Sequence, residues 1–234
     1  MNKLTMKTAW RRTTRLAIVL LCAALFSVPA LAKKQQLPAV DEDGLHLLKD
    51  TKVAVAYAKP DASLEPYNKI ELLDCSVEFK QNWQHNYNMQ QIGLSGTISD
   101  KDAETIKKKL AEEFRKIFTD VLTSEGYEIV DEAGPDVLLL RPALLNVDVV
   151  APDVRPTTRS RTYIRSAGEM TLYMELYDSA TDTLLARVAD PQADPDRVSK
   201  PANRATNQKA ADRMLRSWAE LLAKALGEVK EGAQ

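Results

Sequence analysis

Few side chains in this sequence are placed to do chemistry. The two histidines, His46 and His85, stand far apart, and neither has a second histidine or a cysteine at metal-ligand spacing. There is no HExxH helix for zinc and no pair of closely spaced cysteines. There is no GxSxG elbow, and the Cys75–His85 spacing matches no local nucleophile signature. The eight glycines build no phosphate-cradling loop. Carboxylates are abundant, so a pair acting as general acid and base stays open as the one catalytic arrangement. The expectation is a protein that is not an enzyme and carries no cofactor and no metal.

Two segments are suited to binding. The run 82–91 joins the stacking faces of Trp83 and Tyr87 to the hydrogen-bonding groups of Asn82 and His85, a mixture that suits a glycan or a polar protein partner. The bland alternative is a loop packed by its own aromatics. The stretch 151–165 carries Arg155, Arg159, Arg161 and Arg165 between prolines. Four guanidinium groups there can hold phosphate or carboxylate, as on lipid headgroups, or can simply be solvated and screened by salt.

These segments belong to a chain that carries an export signal. Lys3, Lys7, Arg11, Arg12 and Arg15 form a basic stretch, residues 16–26 a short apolar run, and residues 27–32 end in a small-x-small pattern. That order is expected of a cleaved secretory signal over residues 1–32. The run is short for a membrane span of about 20 apolar residues. Leu21 stands before Cys22 where a lipoprotein signal needs a small residue, so no lipid anchor is expected at Cys22. Taking 32 residues and five basic side chains from 234 and 32 leaves 202 residues, with 27 Lys+Arg against 33 Asp+Glu. That modest acidity argues against nucleic-acid binding. Cys75 is then the sole cysteine, which fits a small buried hydrophobe better than a reactive thiol.

The expected organisation is a polar leader over 33–52, a single α+β domain over 53–230, and a tail over 231–234. The start of the leader, to Glu42, reads as mobile, and His46 as packed within the apolar patch 44–48. The clearest element is 168–190, where Met170, Leu172, Met174 and Leu176 alternate with polar residues, turn chemistry follows at 178–182, and Leu184, Ala186 and Val188 alternate again. That is an antiparallel hairpin. Strands are also expected at 53–58, over 67–79 with a kink near Asp74, at 127–130, and over 137–150, where Pro142 marks a bulge, an edge or a break. Ser99 with Asp102 resembles a capping box opening a long helix. Ile106, Leu110, Phe114, Ile117, Phe118, Val121 and Leu122 form that helix's apolar stripe, and Gly126 ends it. A second long helix is expected over 203–229. The runs 80–97 and 190–202 read as loops. Together this is an α+β fold, a mainly antiparallel sheet of about five or six strands with two long amphipathic helices on one face.

Four stretches in this order, 43–79, 124–150, 168–190 and 213–226, resemble the DUF3313 family, a domain of unknown function found in exported bacterial proteins and lipoproteins. The resemblance covers nearly the whole chain after the signal. It implies a cell-envelope location in Gram-negative bacteria and no established activity, so it contributes no catalytic residue. Family members often have glycine in the hairpin turn, where Asp182 stands here. The function expected is a periplasmic, non-enzymatic accessory or binding protein that contacts an envelope protein or glycan. One alternative is a small-ligand or lipid carrier with its ligand between sheet and helices; another is a carboxylate-dependent hydrolase.

Overall fold

The alternating run after Gly168 is the centre of the sheet. The computed structural model describes residues 37–90, 97–149, 163–164, 168–194, 200–201 and 204–232. In chain order the elements are β1 (His46–Leu47), β2 (Val55–Ala58), β3 (Lys69–Leu72), β4 (Ser76–Phe79), α1 (Trp83–Gln90), α2 (Asp100–Ser124), β5 (Glu128–Val130), β6 (Val137–Val149), β7 (Tyr163–Ile164), β8 (Gly168–Asp178), β9 (Thr183–Ala193), β10 (Lys200–Pro201) and α3 (Arg204–Gly232). Eight strands form one sheet in the order β1-β2-β9-β8-β6-β3-β5, with β4 also paired to β6; β7 and β10 pair separately.

The sheet corrects the expected fold. From β1 to β6 its ladders are antiparallel, but β3 pairs parallel with both β5 and β6, and β4 parallel with β6. It is therefore a mixed sheet, with more strands than the five or six expected. The physical reason is α2, which lies between β4 and β5 and supplies the long crossover that parallel neighbours require. The run 67–79 divides into two strands at residues 73–75, and both lie along one edge of β6. Pro142 falls where the parallel partner of β6 changes from β3, whose last pair is Leu72 with Leu140, to β4, whose first is Ser76 with Ala143. Its missing N–H thus sits at a break in the ladder, and β6 continues through it.

Two bulges decide which side chains reach the core. In β6 the register shifts between Leu145 and Asp148, and Asn146 takes φ 52°, a left-handed conformation that asparagine tolerates. Leu144 and Val147 consequently both face inward, although strict alternation would send Asn146 there. In β9 the register shifts opposite Leu176 and Tyr177, so Leu184 pairs with Tyr177 and Ala186 with Leu176. Leu185 is the buried residue, where alternation pointed to Leu184. The strand also runs on to Ala193, four residues into the expected loop.

One apolar core joins the inward face of β6 and β8 to Phe114, Ile117 and Phe118 of α2 and Met214, Leu215 and Trp218 of α3. Each large side chain so buried contributes about 1.5–3 kcal/mol before entropy is set against it. The capping box forms as expected, with Ser99 and Asp102 exchanging hydrogen bonds. Gly126 takes φ 89° just beyond the end of α2, and Asp182 takes φ 53° in the hairpin turn.

Candidate functional site

The segment 82–91 differs from its expectation as a loop, because residues 83–90 form α1. Asn82 precedes it at φ 59°. Trp83 is buried, stacks on Phe79 with ring centroids 3.9 Å apart, and donates its indole N–H to the Val149 carbonyl at 3.1 Å. Its faces are spent on packing. Tyr87, one turn on, lies 6.4 Å from Trp83 and is half-buried, while Asn82 and His85 are exposed. Trp83 and Tyr87 thus anchor α1 to the body and share a hollow of about 340 Å³ with Lys80, Asn86 and Gln90. The four arginines at 155, 159, 161 and 165 lie outside the described residues.

A larger hollow was not legible from residue spacing. Between α2, α3 and the ends of β6 and β8 lies a cleft of about 390 Å³. Its apolar lining includes Ile106 and Leu110 of α2, Val147 and Val149 of β6, Met170 of β8, and Ala211 and Met214 of α3. That size, with an apolar lining and a few convergent polar groups, is the usual form of a small-molecule site. Gly168 lies on its rim because nothing larger fits: a Cβ there would sit 2.4 Å from the Asp148 carbonyl oxygen. Next to that rim, Lys80 bridges Asp148 at 3.3 Å and Glu169 at 2.7 Å.

Glu113 of α2 and Asp212 of α3 both line the cleft, and the charge of Asp212 reaches Glu113. Burial, then the charge of Asp212, push the Glu113 carboxyl above its ordinary value, and a hydrogen bond to Asp212 adds to this against the pull of Lys116. Asp212 Oδ1 is buried with no N–H or O–H partner among the described residues. Lys116 does not neutralise the pair outright, because its ammonium is held 2.7 Å from Asp120.

Other polar groups hold the scaffold. Asp190, buried at the β9–α3 contact, accepts from the Ala54 N–H at 2.8 Å and the Trp218 indole at 2.7 Å. On the opposite face of the sheet Glu175 accepts from Tyr173 and Tyr177 and pairs with Arg187 at 3.0 Å. Burial alone would raise the Glu175 carboxyl, but those hydrogen bonds outweigh it and hold it low. Arg187 also binds Asp41 and Asp43 at 2.7 and 2.6 Å. The start of the leader is thereby tied to the sheet from residue 38, whose carbonyl accepts from Tyr57; the reading of it as mobile does not hold there. His46 is exposed on β1, contrary to the packed position expected, and Leu45 is the buried residue beside it. Cys75 is buried and free, and burial pushes its thiol up to about 12 against a backbone hydrogen bond to Leu144. That is inert packing chemistry.

Among the described residues no group of His, Cys, Asp and Glu is arranged to hold a metal ion, and no helix is long and apolar enough to cross a membrane. A family model described as a protein of unknown function, DUF3313, matches residues 44–222. No curated protein matches the chain. Among solved structures, a PelC dodecamer subunit from Paraburkholderia phytofirmans is similar at 9% identity over 69% of this chain and 93% of that one, with a TM-score of 0.33. A candidate lipoprotein from Caulobacter crescentus CB15 is similar at 14% identity over 73% and 94%, with a TM-score of 0.34. A candidate homolog of neuraminyllactose-binding hemagglutinin from Helicobacter pylori is similar at 11% over 74% and 94%, with a TM-score of 0.31.

Proposed function

Because the chain belongs to the DUF3313 family, as the match over residues 44–222 establishes, and that family carries no assigned activity, we propose from the geometry that it is an exported, non-enzymatic binding protein of the cell envelope. In this reading the binding element is the cleft between α2, α3 and the sheet, and the protein works as a small-ligand carrier. The observation that supports it is the cleft itself, about 390 Å³ with an apolar floor and a carboxyl pair on its wall. A well-packed core closes voids of that size, since each lost contact costs stability. An export signal at residues 1–32 is the part of the reading that concerns location.

Contact with an envelope protein or glycan through α1 is the second reading. Its support is the exposed side of that helix, where His85, Asn86 and Met89 face outward. The hydrolase reading would rest on Glu113 and Asp212.

Native mass spectrometry of the exported protein after gentle purification tests the carrier reading. A co-purifying adduct is expected, and Ala211→Phe, which fills the cleft, should abolish it without loss of folding. A bare mass for the wild type would count against the cleft. Turnover of an ester or glycan that survives repurification and is lost in Glu113→Gln would replace binding with catalysis.

A further inference from the structure

We propose that the cleft selects a cationic amphiphile, an amine head on an apolar stem, with the head seated at Glu113 and Asp212. The proposal rests on the cleft being the binding element and goes further by naming the chemistry of its ligand. The cleft pairs an apolar floor with an unbalanced charged lining. Among the described residues six acidic side chains line it, against the lysines Lys109 and Lys116. Several of those acids are already engaged. Asp148 and Glu169 are held by Lys80, Glu112 lies 3.8 Å from Lys108, and Asp102 caps α2.

That leaves Glu113 and Asp212, brought together from two helices at the edge of the apolar floor. The charge of Asp212 acts against the Glu113 carboxylate. An ammonium group relieves that repulsion by donating to both carboxylates, while its stem covers Met170, Met214 and Leu110. A carboxylate or phosphate head would meet an acidic lining instead, and desolvating an anion there carries a large cost. Burial and the charge of Asp212 hold the Glu113 carboxyl above its ordinary value, so affinity for the amine should rise as pH rises through the titration of Glu113. The charged groups that act on Glu113 are Asp212 from α3 and Lys116 and Asp120 from α2, with Arg216 of α3 acting on Lys116 in turn; Asp102, Lys109 and Glu112 of α2, Asp148 of β6 and Glu169 of β8 also line the cleft.

The test uses the whole exported chain labelled with ¹³C-methyl methionine. Met170 and Met214 line the cleft, Met174 reports the closed core and Met89 the exposed side of α1. The probes are octylammonium, octanoate, octanol and lysophosphatidylethanolamine. Octylammonium should move the Met170 and Met214 signals saturably and leave Met89 in place. Octanoate should bind at least about tenfold more weakly, the scale of one well-placed charge contact. The near-isosteric Glu113→Gln and Asp212→Asn should each weaken octylammonium about tenfold, with the Met174 signal certifying the fold. Equal binding of octylammonium, octanoate and octanol would overturn the charge selection while leaving the cleft as a binding site. No response to any probe would overturn both. Tighter binding of the lysophospholipid than of octylammonium would overturn a free amine in favour of a lipid headgroup. The comparison of octylammonium with octanoate needs no variant, so it decides even if both variants fail to fold.

Discussion

Asp190 should be among the costliest single positions in the protein, although nothing around it in the chain announces this. Its residue is 8% exposed, and its carboxylate satisfies two donors from elements distant in sequence, the Ala54 N–H ahead of β2 and the Trp218 indole in α3. A third bond, from the Gln192 amide at 3.2 Å, lies on its own strand and adds little. Hydrogen bonds to a charged acceptor are worth about 1.5–3 kcal/mol each, and removing the acceptor strands the buried donors. Asp190→Ala should therefore cost about 3–6 kcal/mol, a large part of the 5–15 kcal/mol typical of whole domains. Asp190→Asn retains one acceptor but turns an amide donor toward the other N–H, so its cost should fall between wild type and alanine. Urea unfolding followed by tryptophan fluorescence and far-UV circular dichroism gives both values. A double-mutant cycle with Trp218→Phe isolates the indole bond, and the coupling should reach about 1.5 kcal/mol. A cost below about 1 kcal/mol for Asp190→Ala, or strict additivity in the cycle, would refute the reasoning.

Three further outcomes follow from the same geometry. Phe114 is fully buried and stacks on Phe118 at 3.9 Å, so Phe114→Ala should cost about 3–5 kcal/mol in the same unfolding assay, and Phe114→Asp should leave no folded protein. Arg187→Met strands Glu175 and Asp41, whose side chains are each 12% exposed. It should cost about 3 kcal/mol at neutral pH. The Glu175 carboxyl is held below its ordinary 4.5, so its share of stability is present above that pH and is lost as pH falls through the lowered value; the Arg187→Met penalty should shrink on acidification over that window. Glu113 has the opposite sign. Its folded value is raised above 4.5, so its contribution is complete below 4.5 and is lost as pH rises through the raised value. Stability of Glu113→Gln measured across pH should match wild type in acid and exceed it at neutral pH.

Local signals in the sequence carried much of the fold. The alternation in 168–178, the Ser99–Asp102 box and Gly126 each act within a few residues, and each element stands where those residues put it. Features made by distant residues were not legible. Parallel pairing of β3 and β4 with β6 leaves no local mark, because a buried strand reads the same beside either kind of neighbour. Helix α1 has no apolar stripe and is held by Trp83 and Tyr87, one turn apart, and by hydrogen bonds of Gln84 and Asn88 with Ile98, so it resembled a polar loop. The bulges at Asn146 and Leu185 break the period of two that sequence reasoning relies on. The Glu113–Asp212 pair and the Asp190 hub are each assembled from separate elements. A carboxylate on the surface of a helix looks the same in sequence whether or not a second helix brings another one against it.

Whether the protein binds through the cleft between its helices and sheet is tested most directly by in-cell photo-crosslinking. A diazirine-bearing lysine analogue at position 109, on the cleft wall, is compared with the same group at position 89, on the exposed side of α1. Binding in the cleft should give a discrete low-mass adduct at 109 that disappears in Ala211→Phe, and none at 89. A discrete protein or glycan adduct at 89 with nothing at 109 would contradict it and place the function on α1.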